Sequence, residues 1–133
     1  MEDTLQNNRD FKLVCELGKL LEEHRAIDVM VMDMRPLNFW TDFFVLATVM
    51  SSTHLLGLER HIKDFVKDNG LEIIRSSGKP PTDYEWHLMD LGNSVVHLMT
   101  ANARAFYELE RLWGQAPLIY KGSTDMNHSS NSS

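Results

Sequence analysis

The stretch Phe43-Phe44-Val45-Leu46-Ala47 most limits what this chain can fold into. It is apolar without alternation. A continuous run of this length, between turn signals, reads as a strand covered on both faces. Segment 42–49 is therefore expected at the centre of a sheet with a layer packed on each side.

The segments around it supply those layers. Residues 8–25 read as an amphipathic helix: at 100° steps Lys12, Glu16, Lys19 and Glu23 share one narrow face. Phe11, Leu13, Val14, Cys15, Leu17, Leu20 and Leu21 spread over more than half of the rest, wider than one sheet face would bury. Such a helix either sits deep in a groove of its own domain or gives part of its stripe to a second subunit. Residues 26–34 alternate Ile27, Val29, Val31 and Asp33 with Asp28, Met30, Met32 and Met34, a strand that Arg35-Pro36 ends. Ser51, Ser52 and Thr53 offer N-caps for a helix reaching residue 68 or 69, with Gly70 as a left-handed stop. Leu55, Leu58, Ile62, Phe65 and Val66 form its sheet-facing stripe; Arg60, Asp64 and Lys67 face outward, and Leu56 falls off the stripe.

Residues 71–75 read as a short third strand and 76–83 as a loop by composition. The apolar runs 86–91 and 95–99 flank Gly92-Asn93, a β-hairpin signal, and Thr100 is placed to cap a last helix that residues 114–117 stop. Residues 118–120 could add an edge strand. The expected organisation is a flexible stretch 1–7, one domain 8–120 and a disordered Ser/Asn-rich tail 121–133. The fold class is α/β (α+β): a single domain with a mixed sheet of about five strands flanked by helices, in the order α-β-β-α-β-β-β-α.

With 133 residues, 43% of them apolar, the chain is long enough for one real core. The formal charge of -6 argues against electrostatically driven or sequence-specific nucleic-acid binding and suits a basic protein partner. Cys15 is the only cysteine, so no internal disulfide and no Cys-based zinc site can form. No run is long enough to span a membrane, and the first residues lack the basic, acid-poor character of a signal or transit peptide. The expected location is cytoplasmic.

Catalytic chemistry finds little support. His54 and His61 are seven apart, too far for a zinc-gripping i, i+4 pair, and no Walker-type or dinucleotide fingerprint occurs. His87 and His97, on the two hairpin strands, are candidate cross-strand neighbours. His97 is either a hydrogen-bonded, partly buried imidazole or part of a partner surface. Tyr84, Trp86, Leu88 and Asp90 share a strand face by period two. Arg104, Tyr107 and Arg111 form a row on the last helix. Trp, Tyr and Arg are enriched at interface hot spots, so these residues are the candidate partner-binding set.

Two stretches resemble the ribosomal silencing factor (Iojap) family. One is Glu85-Trp86, Asp90, Gly92 and Val95-Val96-His97, followed by residues 103–113, Ala-Arg-Ala-Phe-Tyr-Glu-Leu-Glu-Arg-Leu-Trp. The other runs Ile27-Asp28-Val29 through Asp33-Met34-Arg35-Pro36-Leu37 to Thr41-Asp42-Phe43-Phe44-Val45. The likeness extends from about residue 26 to 117; the Pro80-Pro81 loop departs from it. It implies a translational repressor without cofactor, metal or catalytic residue. Such a protein binds a basic protein at the intersubunit face of the large ribosomal subunit, sterically blocks subunit joining, and can be a homodimer. It also implies a nucleotidyltransferase-like topology, which makes Asp28, Asp33 and Asp42 worth testing as a metal site. Those enzymes pair a Gly-Ser helix start with an Asp-x-Asp strand; here Met50-Ser51-Ser52 precedes the helix and no Asp-x-Asp occurs. A dimeric adaptor with an unrelated partner is the remaining alternative.

Overall fold

A computed structural model describes residues 2–37, 41–78, 85–107, 114 and 116–122. In chain order the elements are α1 (Glu2–Glu23), β1 (Ile27–Asp33), β2 (Phe43–Val49), α2 (Ser52–Asp68), β3 (Arg75–Gly78), β4 (Trp86–Asp90), β5 (Ser94–Thr100), α3 (Ala101–Tyr107) and β6 (Leu118–Lys121), with a 3-10 turn at Arg35–Leu37. The strands form one mixed sheet in the order β3-β4-β5-β2-β1-β6. Six strands stand where about five were expected, because residues 118–121 do pair, antiparallel to β1.

β2 is central and buried along its whole length. It pairs antiparallel with β1 and parallel with β5. The parallel pairing is possible because α2, β3 and β4 intervene and carry the chain back to the same end of the sheet. One face of the sheet packs against α1 and α2 through Val14, Leu17, Leu21, Leu55, Leu58, Ile62 and Val66. The other gathers Met32, Met34, Phe44, Leu46, Val95 and Met99 with Ala103 of α3 and Ala116. Period two along β2 sends Phe43, Val45 and Ala47 to the first core and Phe44 and Leu46 to the second. That is the physical content of an unalternated apolar run.

Several boundaries differ from the sequence reading. α1 begins at Glu2 rather than residue 8, since nothing in 2–8 breaks a helix and early acids suit its N-terminal dipole. It ends at Glu23 in a Schellman motif: Ala26 N–H donates to Leu21 C=O (3.0 Å) and Arg25 N–H to Glu22 C=O (3.0 Å). Arg25, at φ 74°, occupies the left-handed position usually given to glycine. Lys12, Glu16, Lys19 and Glu23 are exposed as expected, while Val14, Leu17 and Leu21 are core. Most of the wide stripe is thus used within the domain, Leu13, Cys15 and Leu20 being half-buried.

The third strand is displaced. Residues 71–74 are not in a ladder; Leu71 and Ile73 only pack against the first core. Pairing with β4 begins at Arg75 and runs through Ser-Ser-Gly, a segment read as loop by composition. Elsewhere the local signals hold. Ser51 caps α2 by accepting from His54 N–H at 3.0 Å, and Gly70 turns the chain at φ 68°. Thr100 accepts Ala103 N–H at 3.1 Å. The hairpin turn is closed by Leu91 N–H to Ser94 C=O (2.8 Å) and by Gly92 N–H to the Asp90 carboxylate (2.9 Å). Of the expected tail 121–133, Lys121 instead ends β6 and Gly122 N–H donates to Val29 C=O (2.9 Å), while 123–133 and the continuation of the last helix through Trp113 lie outside the described residues.

Candidate partner-binding face

β4 lies next to the edge of the sheet, and its alternation decides what it offers. Met89 points into the α1/α2 core; Trp86 and Leu88 point to the opposite face and rest, half-buried, against the second core. Trp86, Leu88 and Asp90 therefore share a face, as period two predicts. Across the hairpin Leu88 pairs with His97, and Trp86 with Met99. Trp86 reaches His97 diagonally: its indole Nε1–H donates to His97 Nδ1 at 3.3 Å. Asp90 lies opposite Arg75 of β3, and its carboxylate accepts the turn N–H of Gly92.

The register corrects one expectation. His87 pairs with Leu98, not His97, so the two histidines lie on opposite faces of the sheet. His87 Nε2 stands 2.9 Å from Ser76 Oγ and 3.4 Å from Glu59 Oε2. A serine, a histidine and a carboxylate do come together there, which the sequence does not show because Arg-Ser-Ser-Gly carries no strand pattern. Both contacts fall on the same ring nitrogen, whereas a relay needs the acid on one nitrogen and the nucleophile on the other. The group ties α2 to the β3–β4 pair.

His97 is buried, 4% exposed, and stacks edge-on against Phe44 with ring centroids 4.7 Å apart. Burial pushes its pKa down to about 4, so it is neutral at physiological pH. It lies beneath the face, and the partner-surface reading of its own ring is set aside. Arg104 is corrected too. It was a candidate for partner contact, but it is 7% exposed and donates to Thr48 Oγ1 at 3.0 Å and to Met30 Sδ at 3.1 Å. At Arg104 the helix faces the sheet. Tyr107 ends the described part of α3, and Arg111 lies outside the described residues.

Asp33 and Asp42 both lie near Arg35, but Asp28 stands at the other end of β1 from them. Asp28 is exposed at the start of β1, at φ 52° where the β1–β2 register shifts. Asp33 is at the other end of the strand, gripped by Arg35 at 2.9 and 2.8 Å. Those hydrogen bonds hold the Asp33 carboxyl below the usual carboxylate range despite its partial burial. Arg35 also lies 5.0 Å over the Phe43 ring. His24, unremarked in the sequence, stacks on His61 at 3.6 Å, and His54 Nε2 contacts the His24 carbonyl at 3.0 Å. Among the described residues no group of three His, Cys, Asp or Glu could hold a metal ion. No helix among them is long and apolar enough to cross a membrane.

The single open mixed sheet with its flanking helices places the protein in the α/β (α+β) class. Comparison with known proteins gives the family. The family model described as "Ribosomal silencing factor during starvation" matches residues 7–133, and the chain belongs to that family, whose role is ribosome-associated silencing. It is 34% identical over 97 residues to ribosomal silencing factor RsfS of Bacillus subtilis, covering 73% of this chain and 80% of that one. To the Treponema pallidum protein of the same name it is 37% identical over 97 residues, covering 73% and 86%. A crystal structure of a Chromobacterium violaceum protein superposes with a TM-score of 0.70 at 28% identity, covering 77% of this chain and 84% of that one.

Proposed function

We propose that this protein represses translation by occupying the intersubunit face of the large ribosomal subunit and sterically blocking the small subunit. Its contact is a basic ribosomal protein, and the Trp86, Leu88 and Asp90 face of β4 is the docking surface. The observation that carries the reading is the half-exposed aromatic–aliphatic pair beside an acid, on the sheet face opposite α1 and α2. Trp86 and Leu88 supply buried area, Asp90 pairs with a Lys or Arg, and the net charge of -6 favours a basic partner at longer range.

Co-sedimentation with purified large subunits tests it. Trp86→Ala should weaken binding by about 2 kcal/mol or more, the range of interface hot spots. Asp90→Asn, which keeps an oxygen for Gly92 N–H, should weaken binding less and flatten its salt dependence. Added protein should also lower the yield of joined ribosomes from purified subunits. Undiminished binding by Trp86→Ala, with the fold intact, would mean that this face is not the contact.

A further inference from the structure

We infer that His97 is the positioning residue for Trp86: its imidazole Nδ1 accepts the indole N–H and fixes the angle at which the indole is presented to a partner. This rests on the reading of the β4 face as the docking surface. Tryptophan has a single side-chain donor and no acceptor, so the one directional contact that can add to packing in setting its indole is an acceptor placed in reach of Nε1. That acceptor comes from the neighbouring strand, at the diagonal position, 3.3 Å from Nε1. The ring centroids lie 6.1 Å apart with a 36° tilt, so the contact is a hydrogen bond and not a parallel stack.

The acceptor is itself immobile. His97 is 4% exposed, sits between Val95 and Met99 on the inner strand β5, and is braced edge-on by Phe44, 2% exposed on β2. Rigidity thus passes from the central strand to a half-exposed side chain through two ring contacts. Acceptance at Nδ1 requires the neutral imidazole with its proton on Nε2, since imidazolium has no lone pair to offer. A ring that served only to fill the core could be replaced by any side chain of similar bulk. A positioning ring is replaceable only by one that returns an acceptor to the Nδ1 place.

That difference is the test. In ¹⁵N-labelled protein the Trp86 indole N–H, assigned by its loss in Trp86→Phe, should exchange slowly with water, and the His97 ring nitrogens should show the Nε2–H tautomer. His97→Leu removes the acceptor and keeps apolar bulk; the indole resonance should move and exchange quickly, and large-subunit binding should fall about three- to tenfold, the loss expected for one unfixed side chain. His97→Asn puts Oδ1 near the Nδ1 place and should restore the resonance and most of the binding. An Nδ1–H tautomer in the unmodified protein overturns the inference whether or not the variants fold. So does a His97→Leu protein that keeps the indole resonance, or an Asn variant no better than Leu. If Trp86→Ala leaves binding unchanged, the docking-surface reading fails and takes His97's part in binding with it, a result distinct from a wrong tautomer.

Discussion

Single residues carry two stability effects that can be measured. Arg25 closes the Schellman motif of α1 at φ 74°, where a side chain meets its own backbone. Arg25→Gly should stabilise the fold by about 1 kcal/mol, read as a higher midpoint in urea with unchanged slope. A loss of stability would show that the Arg25 side chain contributes more than the turn conformation costs. His97 makes stability depend on pH. Its folded pKa, about 4, lies below the ordinary histidine value of 6.5. Between the two the unfolded chain binds the extra proton, so stability is complete above pH 6.5 and falls as pH drops toward 4. The loss from this group should reach about 2 kcal/mol by pH 5 and ~3 kcal/mol by pH 4. Denaturant melts from pH 7 to 4.5 should show that slope, and His97→Asn should remove it. The pairing of His97 with Trp86 was not legible, although both residues stood out. Period two assigns each to a face of its own strand, but which residues meet is set by the hairpin register, which opposes Leu88 to His97.

At the scale of elements, two helix glycines separate propensity from packing. Gly57 lies inside α2 with open space where a Cβ would project. Gly57→Ala should therefore stabilise by about 1 kcal/mol, the helix-propensity difference. Gly18 in α1 is the opposite case: a Cβ there would come within 3.0 Å of both Val31 Cγ2 and the Tyr120 ring. Tyr120 in turn donates to the Glu22 carboxylate; burial first, and then this hydrogen bond, raise its pKa to about 12. Gly18→Ala should lose stability despite its better propensity; parallel melts of both variants decide the matter. Helices and the central strand were legible because their periodicity reflects burial. β3 was not, since Arg-Ser-Ser-Gly has no apolar pattern and joins the sheet through its backbone ladder with β4 and the Ser76–His87 contact. Arg104 marks the same limit on α3: spacing assigns a residue to a side of a helix, but not to solvent or sheet.

For the whole molecule, the sheet separates two interiors of different chemistry. The α1/α2 side is mainly Val, Leu, Ile and Ala around Phe43 and Met89, while the other mixes Met32, Met34 and Met99 with Phe44, His97, Trp86 and the Arg104–Thr48 hydrogen bond. The face proposed for docking is built on the second, where hydrogen bonds such as Trp86 to His97 tie side chains together. The parallel junction of β2 with β5 also sets the order in which the chain assembles. On either side of it stand pairs joined by nearby chain, β1 with β2 and β4 with β5. The junction itself must close over residues 50–93, an entropic cost met before its contacts form. The two halves should gain structure early and their meeting should limit the rate. Val45 and Val96 face each other across that junction, whereas Ile119 lies on the edge strand β6. In stopped-flow refolding, Val45→Ala and Val96→Ala should slow the folding arm, while Ile119→Ala should chiefly hasten unfolding. Equal slowing by all three would place the barrier elsewhere. The seam that joins the halves of the sheet would then be a late fastening and not the gate through which every molecule passes.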